Sequence, residues 1–198
     1  MNLKLGHQTK FLPIKPGAIA LMLLMAATRF HHFGDTFSLP DASLAVFFLA
    51  GFWSGGIVLF VTLLLEAGVI DYLAITQFGV SDFCISPAYV FLIPTYAAVW
   101  FGGRISATFS PHALNHLPAK IMLLVVSISL AFLISNGSFY LLSDKYPNTN
   151  WLEYSSRFMQ YYPPYLQYSV IYVALIYLST HLVRQITGLN SESELPRI

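Results

Sequence analysis

From Leu44 to Gln77 the chain runs for 34 residues in which only Glu66 and Asp71 carry charge. A single helix of that length would extend about 50 Å, against a bilayer hydrocarbon core of about 30 Å. The run must therefore break, and Ser54-Gly55-Gly56 is the natural place, because glycine stabilises helix interiors poorly and turns freely. The break predicts a short helix over Asp41 to Trp53 and a longer one over Ile57 to Ile75. Further apolar stretches, bounded by charge or by Pro, Gly and Asn, predict spans at 16–33, 87–103, 119–142 and 163–184. The expected fold is an all-α membrane protein of six transmembrane helices forming a single domain over residues 1–198.

Composition agrees with burial in lipid. Hydrophobic residues make up 56% of the chain and charged residues only 10%, with a mean hydropathy of +0.64. The formal net charge of +1 provides no basic surface for nucleic acid and no acidic tail. Lys4, Lys10 and Lys15 precede an apolar core from Gly17 to Ala27 in the order of a signal peptide, but an uncleaved first membrane helix is the expectation.

Cationic residues orient the bundle. With six spans and a cytoplasmic N-terminus, Lys4, Lys10, Lys15, Arg104, Lys120, Arg184 and Arg197 fall inside and Arg29, Lys145 and Arg157 outside, seven against three. Five spans would divide them evenly. Six are favoured, both termini are expected in the cytoplasm, and Asp71, Asp82, Cys84 and the Tyr146 to Tyr162 segment are assigned to the outer face.

The outer segment from Asp71 and Tyr72 through Asp82, Cys84 and Pro87 to Tyr89 gathers carboxylates, phenols and the chain's one cysteine. A thiolate is a soft ligand suited to transition metals, including as the axial ligand of a metal held in a macrocycle. A lone cysteine in such a chain is also commonly a small buried hydrophobe. Pro87 disfavours helix at Ser86, which puts Cys84 on irregular backbone where functional groups concentrate. Asp71 ends an apolar run and calls for a partner, a water-filled cavity or an interfacial position, and Glu66 has the same ambiguity. His112 and His116 share a helix face by spacing, yet without the glutamate of a zinc-protease helix they read as a solvated loop. His31 and His32 beside Arg29 read as an interfacial cluster. The aromatic residues around Trp151, Tyr154, Phe158, Tyr161, Tyr162 and Tyr165 fit an interfacial belt or, with Asn148, Asn150, Gln160 and Gln167, the mouth of a pocket for a large, uncharged or weakly charged ligand. The sequence contains neither a phosphate-binding G-x-x-x-x-G-K-[ST] loop nor a G-x-S-x-G elbow, so ATP-driven work would need another subunit.

Six helices, a basic N-terminus and the array Asp71, Cys84, Tyr89 resemble the cobalamin-specific substrate-binding (S) components of energy-coupling factor (ECF) transporters, the BtuM family of Gram-negative bacteria. The resemblance covers nearly the whole chain. It implies an S-component-like bundle in the bacterial inner membrane that captures cobalamin on its periplasmic face, with Cys84 ligating the cobalt and Asp71 and Tyr89 in the same site. The family is also linked to removal of the cyanide ligand of cyanocobalamin, which makes Cys84 the candidate thiol for decyanation. An ECF module is the partner the resemblance implies, but its A-x-x-x-A docking spacing is missing from the first helix, which offers Gly17-Ala18-x-Ala20 and Ala26-Ala27. Small residues there still allow close helix contact. The alternatives are a membrane-embedded thiol or redox enzyme with Asp71 as acid or base, an S component for another vitamin, and a structural subunit.

Overall fold

The computed structural model describes residues 16–29, 39–53, 55–83, 85–109, 114–147 and 149–187. Among these residues six α-helices follow one another: α1 (Pro16–Arg29), α2 (Ser43–Phe52), α3 (Ile57–Phe78), α4 (Leu92–Ser106), α5 (Leu117–Leu142) and α6 (Trp151–Thr187), with 3₁₀ turns at Pro87–Phe91 and Leu114–His116. Among the described residues no strand occurs. Three of the helices, α3, α5 and α6, are long and apolar enough to cross a membrane. At about 1.5 Å per residue α1 and α2 extend only about 21 and 15 Å, less than a hydrocarbon core.

The shortest helix is the centre of the molecule. Every residue of α2 from Ser43 to Gly51 is buried, and α1, α3, α4 and α6 all pack against it. Its all-round apolar surface, which would be a liability in water, is what an element enclosed on every side requires. Phe47 at its middle stacks on Tyr96 with ring centroids 4.2 Å apart and meets the edge of Phe60 at 5.5 Å. The α2–α4 crossing is closest at two glycines. A Cβ on Gly51 would fall on the carbonyl of Trp100, and one on Gly103 on the carbonyl of Phe48. Small residues let backbones approach where no apolar driving force distinguishes helix from lipid.

The same contacts give helix directions. Phe47 faces Tyr96, and Gly51 faces Trp100, so α2 and α4 run parallel. Ser129 bonds Tyr162 and Tyr140 lies against Tyr154, so α5 and α6 run antiparallel. Directions alternate along the chain, and the end of α1, the start of α2, the end of α3 and the start of α4 converge at one end of the bundle.

The break expected at residues 54–56 is present: α2 stops at Phe52, the Gly55 N–H donates to the Ala50 carbonyl at 2.8 Å, and α3 starts at Ile57. The last helix is longer than the span expected at 163–184, which lies within it. Pro163 and Pro164 do not begin it; they lie inside α6, which starts at Trp151. Proline interrupts a helix by removing an N–H and crowding the preceding turn, but here the preceding turns are held independently. The Asn150 side chain accepts the Glu153 N–H at 2.8 Å as an N-cap, and the Tyr140 hydroxyl accepts the Asn150 N–H at 2.8 Å.

Candidate ligand-binding site

Arg29 ends α1 with a side chain only 6% exposed. A guanidinium there is costly unless its donors are matched, and its fork is almost filled. Nε and Nη2 donate to the two oxygens of Asp71, each at 2.7 Å, in a bidentate pair. Nη1 donates to the Tyr96 hydroxyl at 2.7 Å, to Ser43 Oγ at 2.9 Å and, more distantly, to Asp41 at 3.4 Å. Asp71 also accepts the Tyr89 hydroxyl at 2.7 Å. Asp41 accepts both the backbone N–H and the hydroxyl of Ser43, at 2.9 and 2.6 Å, fixing the first turn of α2. One arginine thus ties together α1, α2, α3, α4 and the 3₁₀ turn that carries Tyr89.

This network forms one wall of a cavity of about 720 Å³, within the range of sites for sizeable small molecules. The opposite side comes from α5 and α6, through Phe132, Asn136, Phe139, Arg157, Tyr161 and Tyr165 among others. Between them runs the segment after α3. Gly79 adopts a left-handed conformation at φ 68°, and the Val80 N–H returns to the Ala74 carbonyl at 3.1 Å, a helix stop that glycine tolerates best. The chain then turns back, and Val80, Ser81, Phe83 and Ile85 line the cavity. Among the described residues, the charged ones lining it are Arg29, Arg157, Asp41 and Asp71, two of each sign. An enclosure balanced in this way suits an uncharged ligand better than an anionic one.

No family model and no curated protein matches the chain.

Of the residues singled out by sequence, Asp71 and Tyr89 are brought together, bonded to each other on the cavity lining. Cys84 lies outside the described residues; its neighbours Phe83 and Ile85 both line the cavity. Asp82 is exposed and Tyr72 is 66% exposed, both off the lining. Gln160 and Gln167, which one of the two readings put at a pocket mouth, are likewise exposed and off it, because the α6 face turned inward carries Arg157, Tyr161, Pro164, Tyr165 and Tyr168 instead. Asn150 is occupied in capping α6, and Asn148 lies outside the described residues. So do His31, His32 and His112; His116 packs against Phe109 with ring centroids 5.5 Å apart. Glu66, one and a half turns before Asp71, is off the lining with one carboxyl oxygen buried and without a hydrogen-bond partner.

The sequence reading missed the role of Arg29, which it grouped with the adjacent histidines. The available signal was the rarity of an arginine beside a membrane segment together with the need of Asp71 for a partner. Tyr96, Asn136 and Arg157 gave no signal separable from ordinary helix composition. The pairing also changes what Asp71 can do: a carboxylate that accepts two bonds from Arg29 and one from Tyr89 is a fixed anchor, poorly disposed to act as a general base.

Proposed function

We propose that the chain is a cobalamin-binding subunit of a vitamin-uptake system in the bacterial inner membrane, crossing it six times with both termini in the cytoplasm and the cavity open to the periplasm. The observation that carries this reading is the joining of Asp71 to Tyr89 on the wall of a large cavity that Phe83 and Ile85, the two neighbours of Cys84, also line. The balanced charge and the aromatic and aliphatic lining suit a corrinoid, which has apolar ring faces and a neutral amide periphery. Alternating helix directions and the distribution of lysine and arginine support six crossings.

In this reading the Cys84 thiolate is an axial ligand of the incoming cobalt. With cyanocobalamin a cobalt–sulfur bond forms as the cobalt–carbon bond breaks, and cyanide leaves with the bonding pair. Asp71 and Tyr89, fixed through Arg29, shape the wall beside it. The sequence contains no G-x-x-x-x-G-K-[ST] loop, so ATP-driven uptake would draw on an ECF module, and action without such a module is the alternative. The test is purification from cells grown with cyanocobalamin. The reading expects red protein with corrinoid absorption near one equivalent per chain, and colourless protein that binds no added cobalamin contradicts it.

A further inference from the structure

Among the described residues, two buried polar groups on the α5–α6 side of the cavity have no hydrogen-bond partner: Oδ1 of Asn136 and Nε of Arg157. They lie at one level of the α5–α6 pair. Across the antiparallel pair Ser129 bonds Tyr162, Phe132 meets Phe158 at 5.3 Å and Tyr140 meets Tyr154 at 5.3 Å, which sets residue 136 level with residues near 157. Buried polar groups are ordinarily satisfied, so a donor and an acceptor that find no partner among the described residues, at one level of a cavity wall, call for a third party.

Aromatic rings flank the guanidinium of Arg157. Its guanidinium carbon lies 4.3 Å from the ring centre of Tyr146 and 5.1 Å from that of Tyr161, so two π faces flank it. What is missing is a hydrogen-bond acceptor for Nε and a donor for Asn136. A carboxylate would serve the first and set a negative oxygen against the Asn136 carbonyl. A carboxamide serves both, its oxygen accepting from Arg157 and its NH₂ donating to Asn136.

We propose that Asn136 and Arg157 form a subsite that recognises a carboxamide group of the ligand and discriminates against the corresponding carboxylate. This rests on the cobalamin reading, since the corrin ring carries several such amides. The experiment is calorimetric titration of the full chain in detergent with cyanocobalamin and with derivatives in which one peripheral carboxamide is hydrolysed to a carboxylate. The wild-type protein should bind at least one derivative about tenfold or more weakly than cyanocobalamin. Asn136→Leu should weaken cyanocobalamin by about three- to tenfold and abolish that discrimination, while Arg157→Gln should weaken it by about ten- to a hundredfold. Arg157→Lys, which keeps the charge but not the planar donor, should behave like Arg157→Gln. Thermal unfolding of each variant separates loss of binding from loss of fold, and a variant that does not fold is replaced by Asn136→Ser or Arg157→Met at the same position. Equal affinity for amide and carboxylate forms, tighter binding of a carboxylate form, or folded variants with wild-type affinity overturns the subsite and leaves the cobalamin reading standing. Absence of cyanocobalamin binding to the wild-type protein overturns the reading and the subsite together.

Discussion

Replacing Asp71 by leucine removes the bidentate partner of an arginine whose side chain is 6% exposed. The guanidinium then keeps Tyr96, Ser43 and the Asp41 contact at 3.4 Å. Breaking a buried ion pair from one side typically costs about 3–5 kcal/mol, because the remaining charge is left uncompensated. Asp71 is itself 20% exposed and Asp41 remains nearby, so the lower end, about 3 kcal/mol, is expected. Arg29→Met, which strands Asp71 with the Tyr89 hydroxyl alone, should cost about the same. The double variant buries two apolar side chains in place of the pair and leaves neither charge stranded, so it should cost about 3 kcal/mol rather than the sum of about 6. A double-mutant cycle isolates that coupling of about 3 kcal/mol. The measurement is reversible unfolding in mixed micelles with increasing sodium dodecyl sulfate, followed by circular dichroism. Additivity of the two single changes to within about 0.5 kcal/mol would refute the claim that the pair acts as one unit.

Tyr89→Phe deletes the 2.7 Å hydrogen bond to the Asp71 carboxylate and should lower stability in the same assay by about 1.5–3 kcal/mol, the range for bonds to charged groups. Gly51→Ala and Gly103→Ala each drive a methyl into a facing carbonyl; both should cost about 1–3 kcal/mol or more, while Gly68→Ala, whose Cβ would meet nothing within 4 Å, should be neutral or gain up to about 1 kcal/mol in the same unfolding series. Single cysteines at Lys145 and Ser191 in a Cys84→Ser background should be labelled by a membrane-impermeant thiol reagent from the periplasm and the cytoplasm respectively, and labelling of both from one side would contradict six crossings.

The helix count was legible because the run from Leu44 to Gln77 is too long for one crossing and glycine marks where it breaks. The start of α6 was not, because Pro163-Pro164 reads as a boundary and the stabilisation that carries the helix through it, the hydrogen bonds among Tyr140, Asn150 and Glu153, is tertiary. Asp71 and Tyr89 stood out as polar groups at the edge of apolar runs, and they do meet. Their organiser, Arg29, lies 42 residues from Asp71 in sequence, and no periodicity links the two. The same holds for Asn136 and Arg157: each is unremarkable on its own helix and becomes informative only when α5 and α6 are set side by side.

The proposed ligation of a corrinoid cobalt by Cys84 would be visible in the absorption spectrum. Wild-type protein and Cys84→Ser are each loaded with cyanocobalamin in detergent, and their spectra and free cyanide are followed over time. A serine hydroxyl keeps the volume but is a harder and far less acidic ligand. The wild-type protein should give a thiolate–cobalt spectrum and release cyanide, and Cys84→Ser should give an unshifted cyanocobalamin spectrum with residual binding and no cyanide release. Identical spectra and equal cyanide release from the two proteins would contradict the proposed ligation.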